Sequence, residues 1–60
     1  DMKTIHFTFT PTFKINDFFY YCYYFNVAFS FNGYESLTLT VDEEYEKEIL
    51  ERIRTNNFEF

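Results

Sequence analysis

Phe18-Phe19-Tyr20-Tyr21-Cys22-Tyr23-Tyr24-Phe25 is the longest apolar run in the chain, and it continues through Asn26-Val27-Ala28-Phe29-Ser30-Phe31. Odd positions stay apolar throughout: Phe19, Tyr21, Tyr23, Phe25, Val27, Phe29 and Phe31. Even positions change character, from Phe18, Tyr20, Cys22 and Tyr24 to the small or polar Asn26, Ala28, Ser30 and Asn32. Period-2 patterning is that of a strand, and a half that is apolar on both faces suits a buried central strand. The segment 18–31 therefore reads as one long strand. Its length calls for a bend or bulge inside it. The eight-residue run falls far short of the roughly 20 residues a membrane helix needs.

The flanking segments are clearer. Before it, Ile5, Phe7, Phe9, Phe13 and Ile15 alternate with Thr4, His6, Thr8, Thr10, Thr12 and Lys14, a strand pattern that Pro11 bends or confines to an edge. After it, Leu37, Leu39 and Val41 alternate with Ser36, Thr38 and Thr40. A two-residue Asn32-Gly33 hairpin loop would set odd residues opposite even ones and turn Leu37 and Leu39 away from Val27 and Phe29. Burial favours the other parity. The expected loop is thus odd, Phe31-Asn32-Gly33, with Val27 facing Leu37 and Phe25 facing Leu39.

From Asp42 the period changes. Val41, Tyr45, Ile49 and Ile53 recur every four residues with Leu50 beside them, the stripe of an amphipathic helix. Asp42 or Thr40 caps its start, acids crowd its first turns and arginines its last, and Thr55-Asn56-Asn57 ends it. Glu43–Lys47 and Glu48–Arg52 have the spacing of supporting ion pairs. Phe58-Glu59-Phe60 alternates once more as a short final strand. The expectation is a single α+β domain over 1–60, in the order β-β-β-α-β. Its sheet is mainly antiparallel, with one amphipathic helix packed on one face.

Sixty residues, with 27% aromatic side chains, allow one small domain whose own core is marginal. Cys22 is the only cysteine, so no internal disulfide forms, and one His with one Cys gives no closed set of zinc ligands. A dense aromatic core or self-association remains as the source of stability. Met2 reads as an initiator with one residue before it, and the alternating segment that follows lacks the apolar stretch of a signal peptide. With an unpaired cysteine, this points to a soluble protein of the reducing cytoplasm.

The net charge of −5 lies entirely in residues 35–60, where eight acids face Lys47, Arg52 and Arg54; residues 1–34 sum to zero. Nucleic-acid binding runs on counterion release and needs a basic surface, so a single-strand binder with bases stacked on aromatics is disfavoured by charge. Two surfaces invite a partner. One is the aromatic patch Phe18, Tyr20, Cys22 and Tyr24, left on the sheet face that the helix does not cover; its ordinary alternative is core. The other is the helix face carrying Glu44, Glu48 and Glu51, which can meet a basic protein surface as a row of phosphates would; its ordinary alternative is a solvated face. The threonine rows are common strand chemistry.

Catalysis has no constellation here: no phosphate loop, no nucleophile elbow, His6 among threonines, and Cys22 without a local cation. Glu46, inside the apolar stripe, is a half-buried carboxylate that stands alone. No enzyme activity, cofactor or metal is expected. The leading expectation is a small acidic protein–protein interaction module, an inhibitor or accessory protein acting by occlusion or nucleic-acid mimicry, of the kind phages and mobile elements carry. A homo-oligomer with its aromatic sheet face self-associated is the alternative.

Overall fold

In the computed structural model, which describes residues 1–59, the elements run β1 (Met2–Thr8), α1 (Ile15–Phe25), β2 (Ala28–Gly33), β3 (Ser36–Asp42) and α2 (Glu43–Thr55). The α+β class and the antiparallel sheet are those the sequence implies. The order is not: the first half of the long apolar segment is a helix, so the chain runs β-α-β-β-α with two helices. The sheet order is β1-β3-β2, which places the last strand in the centre.

The physical reason for α1 is tertiary. A strand over 18–25 would expose one of its two apolar faces. Coiled as a helix, the same residues bring Phe18, Tyr21 and Cys22 to one buried side, at the spacing that aligns side chains on a helix face. Asn26 then stops the helix in the left-handed conformation (φ 58°, ψ 43°), and the Val27 N–H donates back to the Cys22 carbonyl at 2.8 Å. Asn tolerates that conformation better than most residues, and the reverse bond satisfies a carbonyl at the helix end.

Strand parity follows the burial argument. Ile5 and Phe7 lie beside Leu39 and Leu37 of β3, which lie in turn beside Phe29 and Phe31 of β2. All six therefore share the helix-covered face. The β2–β3 register differs from the expected one by two residues on each strand. Phe29, in place of Phe25, faces Leu39, because the loop sits at Tyr34-Glu35, with a bulge between Phe31 and Gly33. Gly33 (φ 140°) and Glu35 (φ 60°) carry the positive φ values of this turn.

Ile5, Phe18, Tyr21, Cys22, Leu37, Leu39, Val41, Ile49 and Phe58 form the buried core. Phe18 is its hub, with ring centroids of Phe7, Phe13, Phe29 and Phe58 between 5.4 and 6.3 Å away, most at edge-on angles. Offset and edge-on pairs are the favoured aromatic geometries. No final strand forms over 57–59; Phe58 instead plugs the core against Phe13, Phe18 and Tyr21. Phe60, the end of that expected strand, lies outside the described residues.

Pro11 occupies a turn closed by the Phe13 N–H on the Thr10 carbonyl, the position its fixed φ suits. Asn56 ties this loop to the end of α2: its Oδ1 accepts from the Lys14 N–H at 2.8 Å, and its Nδ2 donates to the Thr12 carbonyl at 3.1 Å. Asn56 is also left-handed (φ 55°, ψ 38°) and caps α2. One residue thus ends one helix and anchors the start of the other.

Candidate functional site: the outer face of the helix pair

The helix assignment for 15–25 divides the expected aromatic patch. Phe18 and Cys22 are core residues with 0% and 1% exposure, whereas Tyr20 and Tyr24 are each 71% exposed. The patch is therefore not on a sheet face. Phe18 and Cys22 face inward, and Tyr20 and Tyr24 face solvent one turn apart on α1. Tyr23, at 88% exposure, joins them; alternation had placed it on the strand's other face. A signal for this existed in the side-chain types. On α1 the phenylalanines Phe18 and Phe19 turn inward, while Tyr20, Tyr23 and Tyr24 keep their hydroxyl ends in water, as a ring with one polar tip favours. Two rings break this sorting, Phe25, which is 48% exposed, and Tyr21. The buried Tyr21 ring carries the Arg52 guanidinium 5.6 Å above its centroid, a cation–π placement.

α2 lies against β1 and β3, and Ile49 enters the same core as the inward rings of α1. Both helices thus cover one face of the sheet, and their outer surfaces point the same way. Glu44, Glu48 and Glu51 are all exposed on α2. The Asp42 carboxylate caps this helix by accepting from the Glu44 N–H at 3.2 Å. Glu51 pairs with Arg54, at 2.6 and 3.1 Å, and this guanidinium holds the Glu51 carboxyl below its ordinary range. The expected Glu48–Arg52 pair is replaced: Arg52 donates to the carbonyls of Asn57 and Glu59 at 3.3 and 2.5 Å and so ties down the chain after α2.

A cleft of about 330 Å³ opens between Tyr21 and Phe25 of α1 and Tyr45, Glu48 and Ile49 of α2, with Val41 lining it from the sheet. The neighbouring Glu44 carboxylate, above all, raises the Tyr45 phenol from its ordinary pKa. Burial, then Glu48, does the same for Tyr21.

The sheet's other face carries Thr4, His6, Thr8, Ser30, Thr38 and Thr40, with the His6 Nδ1 2.9 Å from the Thr38 hydroxyl. Among the described residues, no group of three or more His, Cys, Asp or Glu side chains is placed to hold a metal ion. Cys22 is buried, and desolvation pushes its thiol up to about 12. A thiol so raised is protonated and unreactive at neutral pH. No described helix is long and apolar enough to cross a membrane. Neither a protein-family model, nor a curated protein, nor a solved structure matches this chain.

Proposed function

We propose that the chain is a non-catalytic protein–protein interaction module of the cell interior. It binds a basic protein surface through the outer face of its helix pair and acts by occluding that surface. One observation carries this reading. The solvent-facing tyrosines of α1, Tyr20 and Tyr24, and the carboxylates of α2, Glu44, Glu48 and Glu51, lie on the same outward-facing layer over the sheet. Tyrosine contributes a large amphipathic contact, and aromatic residues are enriched at interface centres. The carboxylates steer a positively charged partner and set its orientation. The cleft beside Glu48 offers a socket for one side chain of that partner. A surface that normally holds nucleic acid fits this description, which makes an inhibitor of the phage or mobile-element kind the preferred form.

The experiment compares what the wild-type chain retains from an extract with what two variants retain: Tyr20→Ala with Tyr24→Ala, and Glu44, Glu48 and Glu51 all changed to Gln. The reading requires a captured protein that is lost from both variants, is released by salt, and competes with an oligonucleotide. A captured set indifferent to both variants would refute it.

A further inference from the structure

We infer that β2 is a self-association edge: two copies of this chain pair antiparallel through their β2 strands about a two-fold axis near Ser30, forming one six-stranded sheet. This surface, the β2 edge with Phe19 and Tyr23 of α1, adjoins the outer helix face at Tyr20 and Tyr23.

The first ground is the state of the strand. β2 stands at the sheet's edge and all six of its residues are exposed. Every second residue of an antiparallel edge strand directs its N–H and C=O away from the sheet, a template for another strand. Sheets normally guard such edges with charge, proline or covering structure. β2, Ala28-Phe29-Ser30-Phe31-Asn32-Gly33, has no charged residue and no proline. β1, the opposite edge, is guarded: Lys3 shares the parity of Ile5, and the Glu43 N–H closes onto the Asp1 carbonyl at its start.

The second ground is which rings stay wet. Phe29 and Phe31 face the helix layer but remain 40% and 56% exposed. Phe19 covers them only in part, stacked on Phe29 at 5.0 Å and edge-on to Phe31 at 6.0 Å. Tyr23 follows Phe19 by one turn, on the same side of α1, at 88% exposure. At about 200 Å² per aromatic residue, Tyr23, Phe29 and Phe31 leave on the order of 400 Å² of ring surface in water. That is the size of the largest patch on an ordinary monomer. Main-chain pairing along β2 brings it toward the roughly 800 Å² per partner of a standard interface. The dimer is therefore a modest one that forms with rising concentration.

Charge selects a second copy as the occupant. Each copy carries −5, so two copies repel unless they meet where that charge is absent. Residues 18–34 contain no charged side chain. They supply β2, Phe19 and Tyr23, and the acidic α2 lies over β1 and β3, away from the β2 edge. Pairing about Ser30 sets Phe29 of one copy beside Phe31 of the other, on the same face, because the paired numbers keep their parity. It also brings the two α1 helices side by side, with Tyr23 between them, and leaves the acidic helices at the far ends.

The test is sedimentation or light-scattering mass across roughly a hundredfold concentration range, for the wild type, Ser30→Lys, Phe31→Lys, and the Tyr20→Ala/Tyr24→Ala variant. Ser30 lies on the open polar face, so Ser30→Lys places like charges together at the two-fold axis without touching the core; far-ultraviolet circular dichroism checks the fold. The expected result is a wild-type mass rising to that of a dimer. Ser30→Lys and Phe31→Lys dimerise at least tenfold more weakly, and the tyrosine variant dimerises like the wild type. A monomer at every concentration, a dimer indifferent to Ser30→Lys, a dimer lost only with the two tyrosines, or open-ended growth beyond two copies would each overturn the inference. A wild type that stays monomeric but binds an extended peptide along β2 would also overturn it, assigning the edge to a foreign strand.

Discussion

α2 begins on a side-chain cap from Asp42, carries Glu43, Glu44 and Glu46 in its first turn, and ends with Arg52 and Arg54 in its last. α1 begins on Lys14 with no side-chain cap, and Asp17 is its one charged residue. α2 has the local devices that favour helical structure, a side-chain cap, acids in its first turn and bases in its last. α1 is eleven residues of largely aromatic sequence, shorter than an isolated helix sustains in water and built from residues of middling propensity. Both end alike, on a left-handed asparagine whose successor donates back to a carbonyl five residues earlier, Val27 to Cys22 and Asn57 to Arg52. Both helices need packing at this length, but α2 adds its own cap and terminal charges to the burial of Ile49, whereas α1 has only the rings beneath it and Asn56 at its start.

The sharpest way to break that contrast is Phe18→Ala beside Ile49→Ala, both side chains being fully buried. Removing the Phe18 ring costs about 3–5 kcal/mol, as much as the whole stability of about 3–9 kcal/mol expected for a domain of this size. The expected outcome in urea unfolding is loss of a cooperative transition for Phe18→Ala, with a weakened but cooperative one for Ile49→Ala. Equal losses would mean that α1 does not depend on its rings more than α2 does on its stripe.

The two asparagine stops allow a finer comparison. Glycine keeps the left-handed backbone but no side chain. Asn26→Gly is therefore expected to stay within about 0.5 kcal/mol of the wild type. Asn56→Gly loses the bonds to Lys14 and Thr12 as well and should cost about 1–2 kcal/mol, read from the same unfolding curves.

A pH series sharpens the account of the buried side of α1. The Cys22 thiol is raised by burial to about 12 from an ordinary 9.0, so the folded state holds its proton longer than the unfolded chain does. Its contribution is fully present below the unfolded value and is lost as pH climbs toward the folded one, at up to about 1.4 kcal/mol per pH unit. Tyr21, raised chiefly by burial, acts in the same direction. The expected result is a melting temperature that falls through this alkaline range, and thiol labelling that proceeds only as fast as the chain opens. The smallest effect belongs to α2: Glu51→Gln breaks an exposed pair with Arg54 and should leave the unfolding curve unchanged, because exposed pairs are screened.

α2, β3 and the first part of β1 were legible in the residues because each has one apolar and one polar side, so period and burial agree. The alternation carried the first strand on to Ile15, whereas β1 stops at Thr8, the chain turns at Pro11, and Ile15 opens α1. Asp42 and Asn56 announced the ends of α2 for the same local reasons. α1 was hidden because Phe18 to Phe25 is apolar at every position, and a uniform run has no period to read. The Asn26 stop and the inward phenylalanines were the faint signals. The site divided in the same way. Glu44, Glu48 and Glu51 emerged together from a regular helix, while Tyr23 and the split of Phe18 and Cys22 from Tyr20 and Tyr24 required knowing which period the run follows. The β2–β3 parity was readable from burial, but the loop position was not, since a shift of two residues on each strand preserves every inward face.

The measurement that bears most directly on this account is the set of ¹³Cα chemical shifts over residues 15–25 in solution. The expected result is downfield, helical deviations from Ile15 through Phe25, a break at Asn26, and extended values from Ala28. Extended values through 18–25 would contradict it, returning Tyr20 and Tyr24 to a sheet and removing the helix pair on which the proposed binding face rests.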